Sequence, residues 1–241
     1  MSIYECADIG KILSENTYPG RGIIVGKSAD GTKAVSAYFI MGRSENSRNR
    51  VFEEKKDEIK ILPFDASKVE DPSLIIYYPV RKFEDTLVVT NGDQTDTVYD
   101  FIKEGKTFEQ ALETRCFEPD APNFTPRISA QLTEKDGAFT YKMSILKSND
   151  AVGSDCNRYT FTYAPVNGVG HFIHTYNHDG NPIPTFTGEP ERIEIVDDIN
   201  ELAEKIWANL NPDNKISLYV RYFDLATGAC ETRLYNKHLG N

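Results

Sequence analysis

From residue 127 to residue 176 the sequence carries strand-type segments in succession, at 127–132, 139–147, 157–163 and 171–176, with no helical pattern between them. Parallel neighbours need crossovers of a dozen or more residues, so such a run favours antiparallel sheet. The period is plainest where Tyr159, Phe161 and Tyr163 alternate with Arg158, Thr160 and Thr162, as in a half-buried strand. Upstream, residues 21–27 and 33–41 read as strands around the turn residues Asp30-Gly31, and 58–64, 73–78 and 85–90 as three more. Downstream, 215–223 and 229–235 flank the turn Ala226-Thr227-Gly228.

Helical spacing is sparse. Ile9, Ile12 and Leu13 predict a short helix closed by Tyr18-Pro19-Gly20. Val98, Phe101 and Ile102 mark one face of a helix over 95–104, and Thr107 with Gln110 forms a capping box that opens another, to about Arg115. Ile199, Leu202, Ala203, Ile206, Trp207 and Leu210 give the clearest helix, with Asp198 as N-cap and Glu201 three residues on. Long antiparallel strands with helices grouped in two places predict an α+β domain of stacked sheets with helices outside, not a doubly wound parallel sheet. No repeat, linker or low-complexity tract divides the chain, so residues 1–241 read as a single domain.

Composition narrows the partners. With 27 Lys+Arg against 37 Asp+Glu the net charge is −10, which weighs against wrapping duplex nucleic acid. Two or three arginines in a pocket would still suffice for a small phosphorylated ligand. Apolar runs such as Leu74-Ile75-Ile76 fall far short of the roughly 20 residues a membrane helix needs, and acids occupy the N-terminus where a signal peptide needs basic residues. Cys6, Cys116, Cys156 and Cys230 form no close pair and read as reduced thiols of a cytoplasmic protein. The triplet Asn123-Phe124-Thr125 has the form of a glycosylation acceptor but stands without a secretory signal. Oligomeric state, a homo-oligomer included, is left open.

Five segments could carry chemistry. In Tyr18-Pro19-Gly20-Arg21-Gly22, glycines flank an arginine at a strand start, so backbone and guanidinium can both approach a ligand. Arg43, Arg48 and Arg50, interleaved with Ser44, Asn46, Ser47 and Asn49, compose a compact anion site, since Arg binds phosphate in bidentate fashion. Asn91, Thr95 and Asp96 stand at a strand-to-helix junction, where backbone amides and small polar groups face a pocket. Glu118 lies on a loop before Thr125-Pro126-Arg127 and can serve as a general acid or base. His171, His174 and His178 invite a metal reading, but strand geometry sends His171 and His174 to opposite faces, so no metal site is assigned.

These segments, taken together, resemble the archaeal-type IMP cyclohydrolases. The resemblance rests on Tyr18-Pro19-Gly20-Arg21 with Val25-Gly26-Lys27, then Ala37-Tyr38, Arg43-Ser44 and Asn49-Arg50. It continues through Val89-Thr90-Asn91-Gly92 with Thr95-Asp96 to Thr125-Pro126-Arg127-Ile128. It is firm over 18–132, looser beyond, and leaves residues 1–17 as an N-terminal extension. The loop at 45–48 is two residues longer than the family's.

The resemblance implies a four-layered αββα sandwich of the N-terminal nucleophile hydrolase type, with the site in a cleft between the sheets and Ser2 not acting as nucleophile. It implies closure of 5-formamidoimidazole-4-carboxamide ribotide to IMP with loss of water, the last step of de novo purine biosynthesis, requiring no cofactor. Arg21, Arg43 and Arg127 would contact phosphate or polarise the reacting oxygens. Asn91, Thr95 and Asp96 would bind ribose or base, with Ser44, Asn49, Arg50 and Thr125 also in contact with substrate. Tyr77 and Glu118 would move protons, and Arg43 would join them in catalysis. Two other readings remain: a nucleotide sensor that binds without turnover, and an amide hydrolase on the same fold.

Overall fold

The computed structural model describes residues 4–69 and 76–240. The chain opens with α1 (Ile9–Glu15), β1 (Arg21–Lys27), β2 (Lys33–Met41), a single turn of helix α2 (Glu45–Arg48), β3 (Arg50–Lys55) and β4 (Glu58–Pro63). It continues with β5 (Val80–Phe83), β6 (Thr86–Thr90), α3 (Gln94–Lys103), α4 (Phe108–Glu113), β7 (Arg127–Lys135), β8 (Ala138–Ser148) and β9 (Cys156–Tyr163). Then follow β10 (Val169–His174), β11 (Glu191–Glu194), α5 (Ile199–Asn209), β12 (Lys215–Asp224) and β13 (Cys230–Asn236).

The strands form a six-stranded sheet, ordered β11-β10-β1-β2-β12-β13, and a seven-stranded sheet, ordered β3-β4-β5-β6-β7-β8-β9, with every pairing antiparallel. In the second sheet sequence order is spatial order, a meander whose β6–β7 connection carries α3 and α4. Its longest hairpin, β7–β8, turns at Asp136 and Gly137, both at positive φ (51° and 75°), the geometry whose twist matches the strands it joins.

Strand alternation decides which faces meet. One apolar set, including Ile23, Tyr38, Ile173 and Tyr219 from the first sheet and Ile61, Leu87, Leu132 and Met143 from the second, fills the space between the sheets. The opposite face of the first sheet, with Ile24, Phe39, Phe172 and Val220, is covered by α1 and α5 through Ile9, Leu13, Leu202 and Ile206. The opposite face of the second, with Val88 and Leu146, is covered by α3 and α4 through Val98, Phe108 and Leu112. The predicted α+β class and antiparallel sheets with helices outside are what the chain forms.

Helix starts follow their caps. Asp198 accepts from the amides of Asn200 and Glu201, and the Thr107–Gln110 capping box is closed in both directions. Within residues 4–17, Ile9 and Leu13 are buried, and Ala7 bridges to Ile193. Among the described residues no helix is long and apolar enough to cross a membrane.

Some expectations shift. Of the strand expected at 73–78, residues 73–75 lie outside the described residues and 76–78 are not strand; the paired segment is β5, two residues later. Tyr77 instead packs against the inter-sheet core, and its carbonyl accepts from the Ile61 amide at 3.0 Å. Strands β3 and β11 were not anticipated, because Glu53-Glu54-Lys55 and Glu191-Arg192 mask their periodicity.

Candidate active site

Gly20 opens the site. Its φ is +78°, and a Cβ there would lie 2.3 Å from Thr175 Oγ1 and 2.5 Å from the Tyr176 ring, so only glycine lets the chain pass these residues into β1. Thr175 Oγ1 donates to the Pro19 carbonyl at 3.0 Å and accepts from the Arg21 amide at 3.1 Å, which fixes the first residue of the strand. Arg21 shares the parity of Ile23, so its side chain points between the sheets. Arg50, first residue of β3, shares the parity of Phe52 and converges from the facing sheet.

A cavity of about 420 Å³ lies here, lined by Arg21, Ser44, Asn46, Ser47, Arg50, Glu118, Pro119 and Asp120. It unites three of the segments singled out from sequence. A somewhat larger cleft of about 480 Å³, near Phe139 and Leu225, has Lys27 as its only ionisable lining residue and offers no acid–base pair.

The Glu118 loop is braced at both ends. The Glu118 amide donates to the Thr125 carbonyl at 2.9 Å, and Asp120 accepts from the Thr125 amide at 2.6 Å and from its hydroxyl. That hydroxyl also meets Tyr176 Oη at 2.7 Å, tying the loop to the chain leaving β10. Opposite, Tyr77 Oη lies 3.2 Å from Tyr38 Oη, both phenols being buried and Tyr38 stacked on Phe52.

Burial and charge oppose each other throughout. Burial raises the Glu118 pKa, and Arg21, Arg127 and Arg50 reverse only part of that, so it stays above the ordinary 4.5. Burial, the largest influence, works to discharge Arg21, but the facing Glu118 carboxylate and the surrounding Tyr176, Tyr77 and Tyr18 hydroxyls together outweigh it and hold the guanidinium charged. Burial lowers the pKa of Arg50, and the neighbouring Arg21 charge adds to the effect. Among the described residues Arg50 forms no ion pair: its guanidinium donates only to the carbonyls of Ser47 at 2.7 Å and Met41 at 3.4 Å. Burial raises Tyr77 against the pull of Arg50 and Arg21, so it is a neutral phenol, a proton donor, at neutral pH. Arg21 Nε and Asn46 Oδ1 are buried without a partner, orphans that a ligand can satisfy. Two buried guanidinium groups, a carboxyl held toward its neutral form and a phenol suit an anion whose reaction moves protons.

The remaining site residues named from sequence are placed differently. Arg43 is at the rim, paired with Asp179 and donating to the Gly180 carbonyl at 2.8 Å, its guanidinium 5.1 Å from the Tyr18 ring centre. Ser44 caps α2 at the cavity edge. Asn49 clamps the backbone of Asp65 at 2.8 and 2.7 Å. Asn91 accepts from the Ile128 amide at 2.9 Å and donates to the Pro126 carbonyl at 2.9 Å, so it is used to seat the start of β7. Thr95 is wholly buried against Thr90 and the Gly92 carbonyl. Asp96 pairs with Arg81 at 2.8 Å, away from the cavity. Arg127 donates to Gln94 at 2.6 Å and pairs with Asp93 at 2.7 Å, while its charge still reaches Glu118. His171 and His174 do point to opposite faces: His171 contacts Tyr141 of the inter-sheet layer, whereas His174 stacks on Phe172 of the outer core.

Tyr38 and Asp120 were not picked as site residues. Tyr38 reads as one more apolar strand position, and only the facing sheet brings Tyr77 to its hydroxyl. Asp120 sits two residues from Glu118, but its role as a brace depends on the fold of the loop.

Residues 18–228 match the family model for IMP cyclohydrolase-like protein. The chain belongs to the IMP cyclohydrolase-like family. Among its relatives, the IMP cyclohydrolase of Methanococcus aeolicus is 33% identical over 128 residues, covering 52% of this chain and 62% of its own. That of Methanococcus maripaludis strain C7 is 36% identical over 138 residues, covering 55% and 65%. The Methanopyrus kandleri IMP cyclohydrolase is 34% identical over 116 residues, covering 46% and 57%. The chain thus matches less than two thirds of the length of each of these relatives. The family match includes Arg21, Arg50, Tyr77 and Glu118, the residues that converge on or beside the cavity.

Proposed function

We propose that this chain is an IMP cyclohydrolase, closing 5-formamidoimidazole-4-carboxamide ribotide to IMP with loss of water. The observation that carries the reading is the meeting of Arg21, Arg50 and Glu118 in one cavity, with Tyr77 beside it, in a member of this family. The facing sheets with outer helices support placing the fold with the four-layered αββα, N-terminal nucleophile hydrolase-like architectures; Ser2 lies outside the described residues. The purine ribotide is the proposed small-molecule partner, and cytoplasm the proposed location.

In the reaction the carboxamide nitrogen attacks the formyl carbon, and the carbinolamine so formed loses water. An amide nitrogen is a weak nucleophile, so Glu118, ionised, draws off its proton. Tyr77 Oη, held by Tyr38, donates the first proton to the oxygen that develops charge, the proton taken by Glu118 completes the departing water, and the remaining formamide N–H proton restores Tyr77, while Arg21 and Arg50 stabilise the negative charge. Holding both groups of one substrate side by side adds an orientation effect. Arg43 holds the rim by its bond to the 179–180 turn and supplies long-range attraction for a phosphate.

Two outcomes follow. Arg43→Ala is expected to weaken IMP binding by up to about tenfold, the loss of one attracting charge at the rim, with turnover largely kept; calorimetric titration with IMP and a KM-against-kcat comparison check this. Tyr38→Phe is expected to lower kcat about tenfold with IMP affinity unchanged, since it frees the Tyr77 hydroxyl from its partner; an unchanged kcat would remove Tyr38 from the account.

A further inference from the structure

A second cavity, of about 450 Å³, lies where the outer edges of the two sheets meet, and it shares no lining residue with the site above. His171 of β10 and Tyr163 of β9 stack across it, ring centres 3.6 Å apart and planes within 14°. Tyr141 Oη lies 2.7 Å from His171 Nδ1. Arg192 of β11 pairs in register with His171, so both side chains leave the sheet on the same face.

The polar bookkeeping of this corner does not close. Tyr163 Oη and Arg192 Nε are both buried without a partner, and both residues line the cavity. Among the described residues Arg192 has no carboxylate within ion-pair distance. His171 is neutral at physiological pH: burial first, and the Arg192 charge second, push it down to about 4. Where the Tyr141 phenol donates to Nδ1, the ring proton of neutral His171 sits on Nε2, which makes no hydrogen bond among the described residues. Buried donors of native proteins are nearly always satisfied, so these two left over among the described residues, one of them cationic and with the His171 N–H beside them, call for an acceptor with at least two oxygens.

We infer that this edge cavity is a binding site for a small monocarboxylate, held by Arg192, Tyr163 and the Nε2–H of His171. A planar carboxylate can take a guanidinium on one side and two neutral donors on the other. Glu189, which lines the cavity and whose charge reaches Tyr163, opposes a second negative charge, which selects against dianionic phosphate. The site is independent of the cyclohydrolase reading.

The four histidines make the test direct. Sodium acetate, and separately inorganic phosphate, is titrated into the full chain while the imidazole nitrogen–proton correlations are recorded, with His171 assigned by His171→Asn. Acetate is expected to shift the His171 Nε2 signal saturably and leave exposed His238 unmoved. Arg192→Gln should weaken that response at least tenfold, and Tyr163→Phe, which keeps the stacking ring, severalfold. No saturable shift, a shift equally present in both variants, or tighter binding of phosphate than of acetate would each overturn the inference.

Discussion

Glu118→Gln is expected to reduce turnover of the formylated ribotide by about 10²–10⁴-fold while leaving IMP affinity within a few fold, because proton transfer by a placed group is worth about that much. The glutamine keeps the shape of the side chain and the loop that Asp120 and Thr125 brace, and loses the proton chemistry together with the charge that faces Arg21. The pH profile sharpens the expectation. Glu118 acts as base in its ionised form, so the rate falls as pH falls through its pKa, and burial places that limb above the ordinary 4.5. The variant should lack the limb altogether. Linkage has a matching sign: a carboxyl whose pKa is raised on folding contributes stability below its unfolded pKa and loses it as pH rises through the folded one. Ionised Glu118 is therefore a cost to the fold near neutrality, but the same carboxylate faces the buried Arg21 charge, so Glu118→Gln gives up both and should melt close to the parent. A rate equal to the parent's would remove Glu118 from catalysis; a large fall in melting temperature would show that its carboxylate serves chiefly as the counter-charge of Arg21.

The second large effect concerns stability. Arg221 of β12 and Glu134 of β7 form a buried pair between the sheets, with contacts of 2.7 and 3.3 Å and a further contact of Glu134 to Lys82 at 3.2 Å. Both side chains are nearly inaccessible, at 2% and 5% exposed. Burial works to discharge Arg221, and the Glu134 carboxylate more than offsets it. Removing one partner strands the other charge in the core, which costs about 3–5 kcal/mol. Arg221→Ala is expected to lose that much in denaturant unfolding. The double variant Arg221→Met with Glu134→Leu should recover most of it, because an apolar pair removes both desolvation penalties. A single variant within 1 kcal/mol of the parent would show that the pair contributes little.

Much of the fold was legible because its signals are local. The 3.6-residue spacing of α5, the capping box of α4 and the alternation in β9 each lie within a dozen residues. What was not legible depends on partners distant in sequence. β3 is paired by β4 despite its charged end, and β11 is short, with His171 facing Arg192 only across the ladder. The site divides the same way. Arg21, Arg50 and Glu118 announce themselves as charged residues beside glycine, strand starts and proline. Asn91 and Thr95 carry an equally suggestive motif, yet their hydrogen bonds run to Ile128, Pro126, Thr90 and Gly92, so the junction holds the sheet rather than facing the cavity. A strand-to-helix turn rich in small polar residues looks alike in both roles until its acceptors are known.

The central claim is tested most directly by mixing the purified chain with 5-formamidoimidazole-4-carboxamide ribotide and following IMP formation by absorbance. The account predicts steady turnover, saturable in substrate and inhibited by IMP. Tight binding of IMP with no turnover would contradict it and make the Arg21–Arg50–Glu118 cavity a nucleotide-binding site without catalysis.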